Sequence, residues 1–193
     1  MSPNAREGAG QGWGATAADA AAQESRFREL VMPHLDAAYS LARYLARDAA
    51  AAEDIAQEAL LKAFRRADTL RADDAKPWLM AIVRNAYFDW RRQGQGALIG
   101  GEAGEAALAQ QPDEAQVSAE AVLIQRGDVA ALRAAIETIP EPFREALVLR
   151  DLEELSYRQV AEITGAPMGT VMSRLARARR MLGERLGLME APA

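Results

Sequence analysis

The chain has no cysteine, which removes disulfides, thiolate metal sites and cysteine nucleophiles together. It has one histidine, His34, so zinc sites and histidine-based triads lack their usual ligands and bases. No metal, no cofactor and no enzymatic activity is therefore expected, and carboxylates such as Asp73 and Asp74 read as a solvated loop. Aromatics make up 6% of the residues, β-branched runs are missing and alanine is abundant, which predicts an all-α protein. No apolar run reaches the ~20 residues that span a bilayer, so no membrane insertion is expected. The N-terminus lacks the basic start and apolar core of a signal peptide, which makes a reducing cytoplasm the expected location. Net positive charge is absent too: the formal charge is −5, which argues against a uniformly basic nucleic-acid coat. Charge is segregated along the chain instead, and segregation is what a binding surface needs.

What is present is organised around Leu155 to Leu186, LSYRQVAEITGAPMGTVMSRLARARRMLGERL. Ser156 and Gln159 have capping-box spacing at the start of a first helix. Gly165 suits the left-handed residue that ends it, and Pro167 the first turn of the next. In the second helix Val171, Leu175, Ala178 and Leu182 form a core stripe, while Gly169, Ser173, Ala176, Arg177 and Arg180 share the opposite face. Small residues at the start of that face permit close approach, and Arg174, Arg177, Arg179, Arg180 and Arg185 are opposed only by Glu184. This pattern predicts a helix-turn-helix whose second helix enters the major groove; an ordinary helical hairpin with a solvated basic face fits the caps and stripe equally well.

The rest of the chain divides into two small helical domains on either side of a flexible linker. Residues 1–24 are rich in Gly, Ala and Gln, with Trp13 their only large apolar group, and are expected to be a disordered extension. A first domain is expected over residues 25–92. Its helical period starts at Phe27 and runs through Val31, His34, Ala38, Leu41 and Leu45, with Pro33 kinking or restarting the helix. The next helix, Asp54 to Ala67, carries a core stripe of Ala56, Leu60, Ala63, Phe64 and Ala67. Its second stripe, Asp54, Gln57, Glu58, Leu61 and Arg65, is polar around one leucine, as an ordinary solvated face or a central anchor with a polar rim would be. After a charged loop from Asp68 to Lys76, the helix Trp78 to Arg92 puts Leu79, Val83, Ala86 and Trp90 inward. Arg84, Tyr87, Phe88 and Arg91 lie outside, and Trp78, Asn85, Asp89 and Arg92 share a third side. Arginines interleaved with aromatics can hold a backbone and stack unpaired bases. Residues 93–117 carry glycines and only acidic charge, which predicts the linker. A second domain follows over 118–187, where Ser118 caps a helix and Val117 and Val122 staple it, and residues 188–193 form a tail.

Two of these segments together resemble one family. AEDIAQEALLKAFR with PWLMAIVRNAYFDWRR is similar to the second conserved region of bacterial RNA polymerase sigma factors, and LSYRQVAEITGAPMGTVMSRLARARRML to the fourth. With no other conserved region between them, the chain resembles the small extracytoplasmic-function group. The resemblance implies a sigma factor that binds core RNA polymerase, directs promoter recognition and melting, and acts in a stress or envelope response. It implies that Asp54, Gln57, Glu58, Leu61 and Arg65 dock on a coiled coil of the largest polymerase subunit. It implies that Lys76, Trp78, Asn85, Tyr87 and Asp89 recognise the melted minus-ten element of promoter DNA while Arg84, Arg91 and Arg92 hold its backbone. Gly169, Thr170, Ser173, Arg174, Arg177 and Arg180 would face the minus-thirty-five element, and an anti-sigma factor is an expected partner. One departure stands out: where the family often has a basic residue after G-T-V, this chain has Met172, which cannot make a bidentate guanine contact. The competing reading is a sigma-like decoy that sequesters an anti-sigma factor without binding DNA, against which the retained arginines argue.

Overall fold

The computed structural model describes residues 17–67, 70–71, 75–94 and 129–188, and every regular element among them is helical. The first region holds α1 (Ala17–Leu30), a 3-10 turn at Met32–His34, α2 (Leu35–Ala46), α3 (Ala49–Arg65) and α4 (Ala75–Arg92). The second holds α5 (Val129–Glu137), α6 (Glu141–Leu147), a π-helical turn at Val148–Leu152, α7 (Tyr157–Thr164) and α8 (Met168–Arg185). Trp13, Ser118 and most of the expected linker lie outside the described residues.

Helices α2, α3 and α4 pack against one another around Leu41, Leu45, Ile55, Leu79, Met80 and Val83. Pro33 restarts the helix as its missing N–H requires, sitting in the 3-10 turn before α2. Arg47 ends α2 in a left-handed conformation, and Asp48 then caps α3 by accepting from the Ala51 N–H at 2.8 Å. That cap starts α3 at Ala49, earlier than the Asp54 start expected from its apolar stripe. Ala51, Ala52, Ile55, Ala56, Ala59 and Ala63 are its buried side, small enough for close helix contact.

Two sequence expectations are corrected here. The chain is helical from Ala17, within the stretch expected to be disordered. Gln23 donates to the Phe64 carbonyl at 2.8 Å, Arg26 to that of Leu70, and the Phe27 and Phe64 rings meet edge-on at 5.3 Å. Phe64 is accordingly an exposed residue partnered by α1 rather than part of the main core. Trp90 is half-buried and packs against the core as its helical position predicts, stacking on Tyr87 at the rim.

In the second region α6 and α7 pack on α8 around Leu147, Leu149, Val160, Val171, Leu175 and Leu182. The capping box forms as the spacing predicts: Gln159 N–H donates to Ser156 Oγ at 3.3 Å and Ser156 N–H to Gln159 Oε1 at 2.9 Å. Gly165 then takes φ 68°, the left-handed turn before α8. The π-helical turn had no counterpart in the sequence pattern. It closes with Glu153 N–H donating to the Val148 carbonyl at 2.9 Å, and it places Asp151 for Arg179 and Arg150 over Tyr157.

The two regions meet, α4 against α7 and α2 against α6. Arg144, only 1% exposed, donates from α6 to the Ile139 carbonyl and, at 3.5 Å, to the Leu45 carbonyl in the last turn of α2. Arg47 reciprocates at 3.3 Å to the Glu137 carbonyl that ends α5. Each region thus supplies an arginine to the negative end of a helix in the other.

Candidate nucleic-acid and partner interfaces

Three surfaces carry the residues singled out from the sequence. On α3, Asp54, Gln57, Glu58, Leu61 and Arg65 are all exposed along one face, with Leu61 at 53%. The opposite side is the alanine-rich core face; the outer stripe is exposed as its spacing predicts, while Phe64 of the expected core stripe is exposed as well. Leu61 is a large apolar side chain with Gln57, Glu58 and Arg65 along its stripe and exposed Phe64 one turn on, the composition of a binding anchor with a largely polar rim.

The second surface is α4, and it differs from expectation. Tyr87, placed outside by its helical position, is buried under the second region and donates to Glu141 Oε2 at 2.8 Å. Arg91 meets both oxygens of Glu141 at 2.8 Å, and Arg84 Nε meets Glu145 Oε1 at 2.5 Å. Lys76 pairs with Glu153 at 3.1 Å and also donates to its carbonyl. Arg84 and Arg91 stack over Phe88 at 4.6 and 4.7 Å. Lys76, Arg84 and Arg91 are therefore held by carboxylates of the second region. Of the remaining candidates Asn85 is exposed, Trp78 is half-buried, and Asp89 binds Lys62 at 2.9 Å together with Arg92. Those hydrogen bonds hold the Asp89 carboxyl below its ordinary range, Lys62 contributing most and Arg92 next.

Periodicity assigned Tyr87 to an outer face because it describes one helix at a time. The signal for its partner was present in Glu141 and Glu145, acidic residues on a helix whose apolar residues already had a core to fill. Burial, followed by its hydrogen bond to Glu141, pushes the Tyr87 phenol up from 10.0 to about 12. A folded value above the unfolded one means this contribution is complete below the unfolded value and is lost as pH rises toward about 12. The difference in alkaline absorbance titration between the wild type and Tyr87→Phe should accordingly appear near 12. A difference centred near 10 would mean that Tyr87 faces solvent.

The third surface is α8. Gly169 and Arg180 are exposed and Ser173 and Ala176 half-exposed, on the face opposite Val171, Leu175, Ala178 and Leu182. Thr170 and Arg174 are half-buried, and the Arg174 charge acts on Glu145. Arg177 lies with its guanidinium over the Phe143 ring at 5.4 Å, so it is more confined than its helical position suggests. Arg179 is committed to Asp151 by two hydrogen bonds of 2.8 and 2.7 Å and acts as a structural residue. Arg180 approaches Glu184 at 3.7 Å and otherwise projects into solvent.

No helix among the described residues is long and apolar enough to cross a membrane. No group of metal-binding side chains occurs among them either.

Comparison with known proteins places this geometry. Residues 30–96 match the family model of Sigma-70 region 2, and residues 130–182 that of Sigma-70 region 4. The chain is 34% identical over 160 residues to the ECF RNA polymerase sigma factor SigE of Mycolicibacterium smegmatis, an alignment covering 82% of this chain and 60% of that protein. It is 32% identical over 145 residues to the ECF RNA polymerase sigma-E factor of Escherichia coli, covering 69% of this chain and 72% of that one. Coverage of the relatives varies, and the chain spans only 35% of the probable RNA polymerase sigma factor RfaY of Xanthomonas campestris. Among solved structures, the sigma factor RpoE in complex with the anti-sigma factor NepR from Bartonella quintana is similar. It has a TM-score of 0.63 and 27% identity, covering 84% of this chain and 97% of that one. CnrH in complex with the cytosolic domain of CnrY shares the fold, with a TM-score of 0.59 and 22% identity over 89% of this chain and 94% of that one. Both conserved regions, in order and on the helices that bear the three surfaces, place the chain in the extracytoplasmic-function family of RNA polymerase sigma factors, whose members are adaptors without catalysis of their own.

Proposed function

We propose that the chain binds core RNA polymerase through the exposed stripe of α3 and directs it to promoters, α4 engaging the melted minus-ten element and α8 the minus-thirty-five element. The observation that carries this reading is the pairing of a leucine-centred partner stripe with a helix-turn-helix on the matching sigma regions of one chain. The exposed set Asp54, Gln57, Glu58, Leu61 and Arg65 supplies the polymerase contacts. Lys76, Trp78, Arg84, Asn85, Tyr87, Asp89, Arg91 and Arg92 supply those to the minus-ten strand, and Gly169, Thr170, Ser173, Arg174, Arg177 and Arg180 those upstream. An anti-sigma factor is the expected inhibitory partner, a reading supported by the similar Bartonella sigma factor having been solved in complex with one.

In the closed arrangement Lys76, Arg84, Tyr87 and Arg91 are engaged by Glu141, Glu145 and Glu153. Engagement of a minus-ten strand then requires α6 and the π-helical turn to leave α4. Run-off transcription with core polymerase on a promoter library tests the whole proposal. Transcripts that depend on this chain are the expected result. Their absence, with the protein still binding an anti-sigma factor, would favour the decoy.

A further inference from the structure

The helix α8 opens Met168-Gly169-Thr170-Val171-Met172-Ser173, and its first turns are unusually apolar on the outside. Val171 is buried, whereas Met168 and Met172 are 49% and 44% exposed. Spaced i and i+4, the two thioether chains lie side by side on the helix surface. Gly169 lies beside them, and a Cβ there would meet nothing within 4 Å, so the surface is open to close approach.

Several donors of α8 are already occupied, and Thr170 and Arg174 are half-buried. The Ser173 hydroxyl donates to the Thr170 carbonyl at 3.0 Å, Arg177 lies over Phe143, and Arg179 is held by Asp151. The arginines of α8 nonetheless make it a helix that suits a polyanion, and the first turns of such a helix go deepest into the groove. A methionine offers no hydrogen to a guanine edge, but it does offer apolar, adaptable surface. The apolar feature that a base pair displays in the major groove is the C5 methyl of thymine.

We propose that Met168 and Met172 read thymine methyl groups, so that the upstream element of this sigma factor carries A·T pairs under the start of α8. The inference rests on the proposed entry of α8 into the major groove.

The experiment uses holoenzyme assembled from the full chain and core polymerase. A duplex library randomised across the upstream element is selected first, and each selected thymine is then replaced by uracil, which removes only the methyl group. At one or two adjacent positions uracil should weaken binding about fourfold, the amount that one buried methyl group supplies. Met172→Ala should abolish the difference between thymine and uracil at one of them. Met172→Leu should retain it, and Met172→Arg should move the selected base toward guanine. Because Met172 is exposed, these variants leave the buried side of α8 untouched. Selection of a defined upstream element with no sensitivity to uracil would overturn this inference alone. So would a sensitivity that is unchanged in both Met168→Ala and Met172→Ala. Selection of no upstream element at all would overturn the groove reading as well.

Discussion

Replacing Arg84 with alanine should separate the two regions while leaving each folded. Glu145 is buried where α6 meets α4, its side chain 5% exposed, and Arg84 is its direct cationic partner at 2.5 Å. Burial pushes the Glu145 carboxyl up against the pull of Arg84, and Arg174 adds only a weaker, more distant attraction. Removing one partner of a buried pair leaves the other desolvated without compensation, at a cost of about 3 kcal/mol or more. The closed arrangement carries that cost, because opening rehydrates Glu145 without unfolding a helix. Small-angle scattering should show a larger radius of gyration for Arg84→Ala, with the helical circular dichroism signal unchanged. A scattering profile identical to that of the wild type would mean that the pair does not hold the regions together. Glu145→Gln is the useful comparison: it removes the buried charge, keeps the shape, and should open the molecule less.

Leu61→Asp should lower affinity for core polymerase by about 2 kcal/mol, roughly thirtyfold, if Leu61 is the anchor at the centre of its stripe. The substitution puts a charge where the interface would desolvate it, yet Leu61 is 53% exposed in the free chain and its loss opens no cavity there. Thermal unfolding of the variant should therefore match the wild type. Binding to fluorescently labelled core polymerase reads the effect directly. Unchanged affinity in the folded variant would move the polymerase contact away from this stripe. Glu58→Ala, at the exposed rim, should cost far less.

Most of the single-helix information was legible because it is local. The capping box at Ser156 and Gln159, the left-handed Gly165 and the stripe from Val171 to Leu182 each depend on a few neighbouring residues, and each appears where its spacing puts it. The same holds for the outer stripe of α3, although the alanine run after Asp48 was a helix-favouring signal outside the apolar stripe. Tyr87 and Phe64 went the other way, because burial depends on which second element covers a face. Alanine-rich α1 showed little amphipathic pattern; Phe27 and Gln23 hold it to Phe64 of α3 and Arg26 to the Leu70 carbonyl beyond, three side chains that a periodicity does not weigh. The basic run of α8 was legible in part: spacing put Arg180 on the outward face and left Arg179, bound to Asp151, off it, but it could not show that Arg177 lies over the Phe143 ring.

The carboxylates of Glu141, Glu145 and Glu153 against Arg91, Arg84 and Lys76 also bear on how binding responds to ionic strength. A protein that simply lays cations on phosphates loses affinity with salt in proportion to the number of counterions it releases. In the proposed binding mode those cations would exchange one set of anions for another. Salt would weaken the contacts that close the molecule along with the contacts to DNA, and the two dependences would oppose each other. The measured slope for a free chain that opens to bind would then fall short of the number of phosphates it touches. A variant already open would show the full slope with the same contacts, and counting phosphates from the wild-type slope would miss every cation that a glutamate had held first.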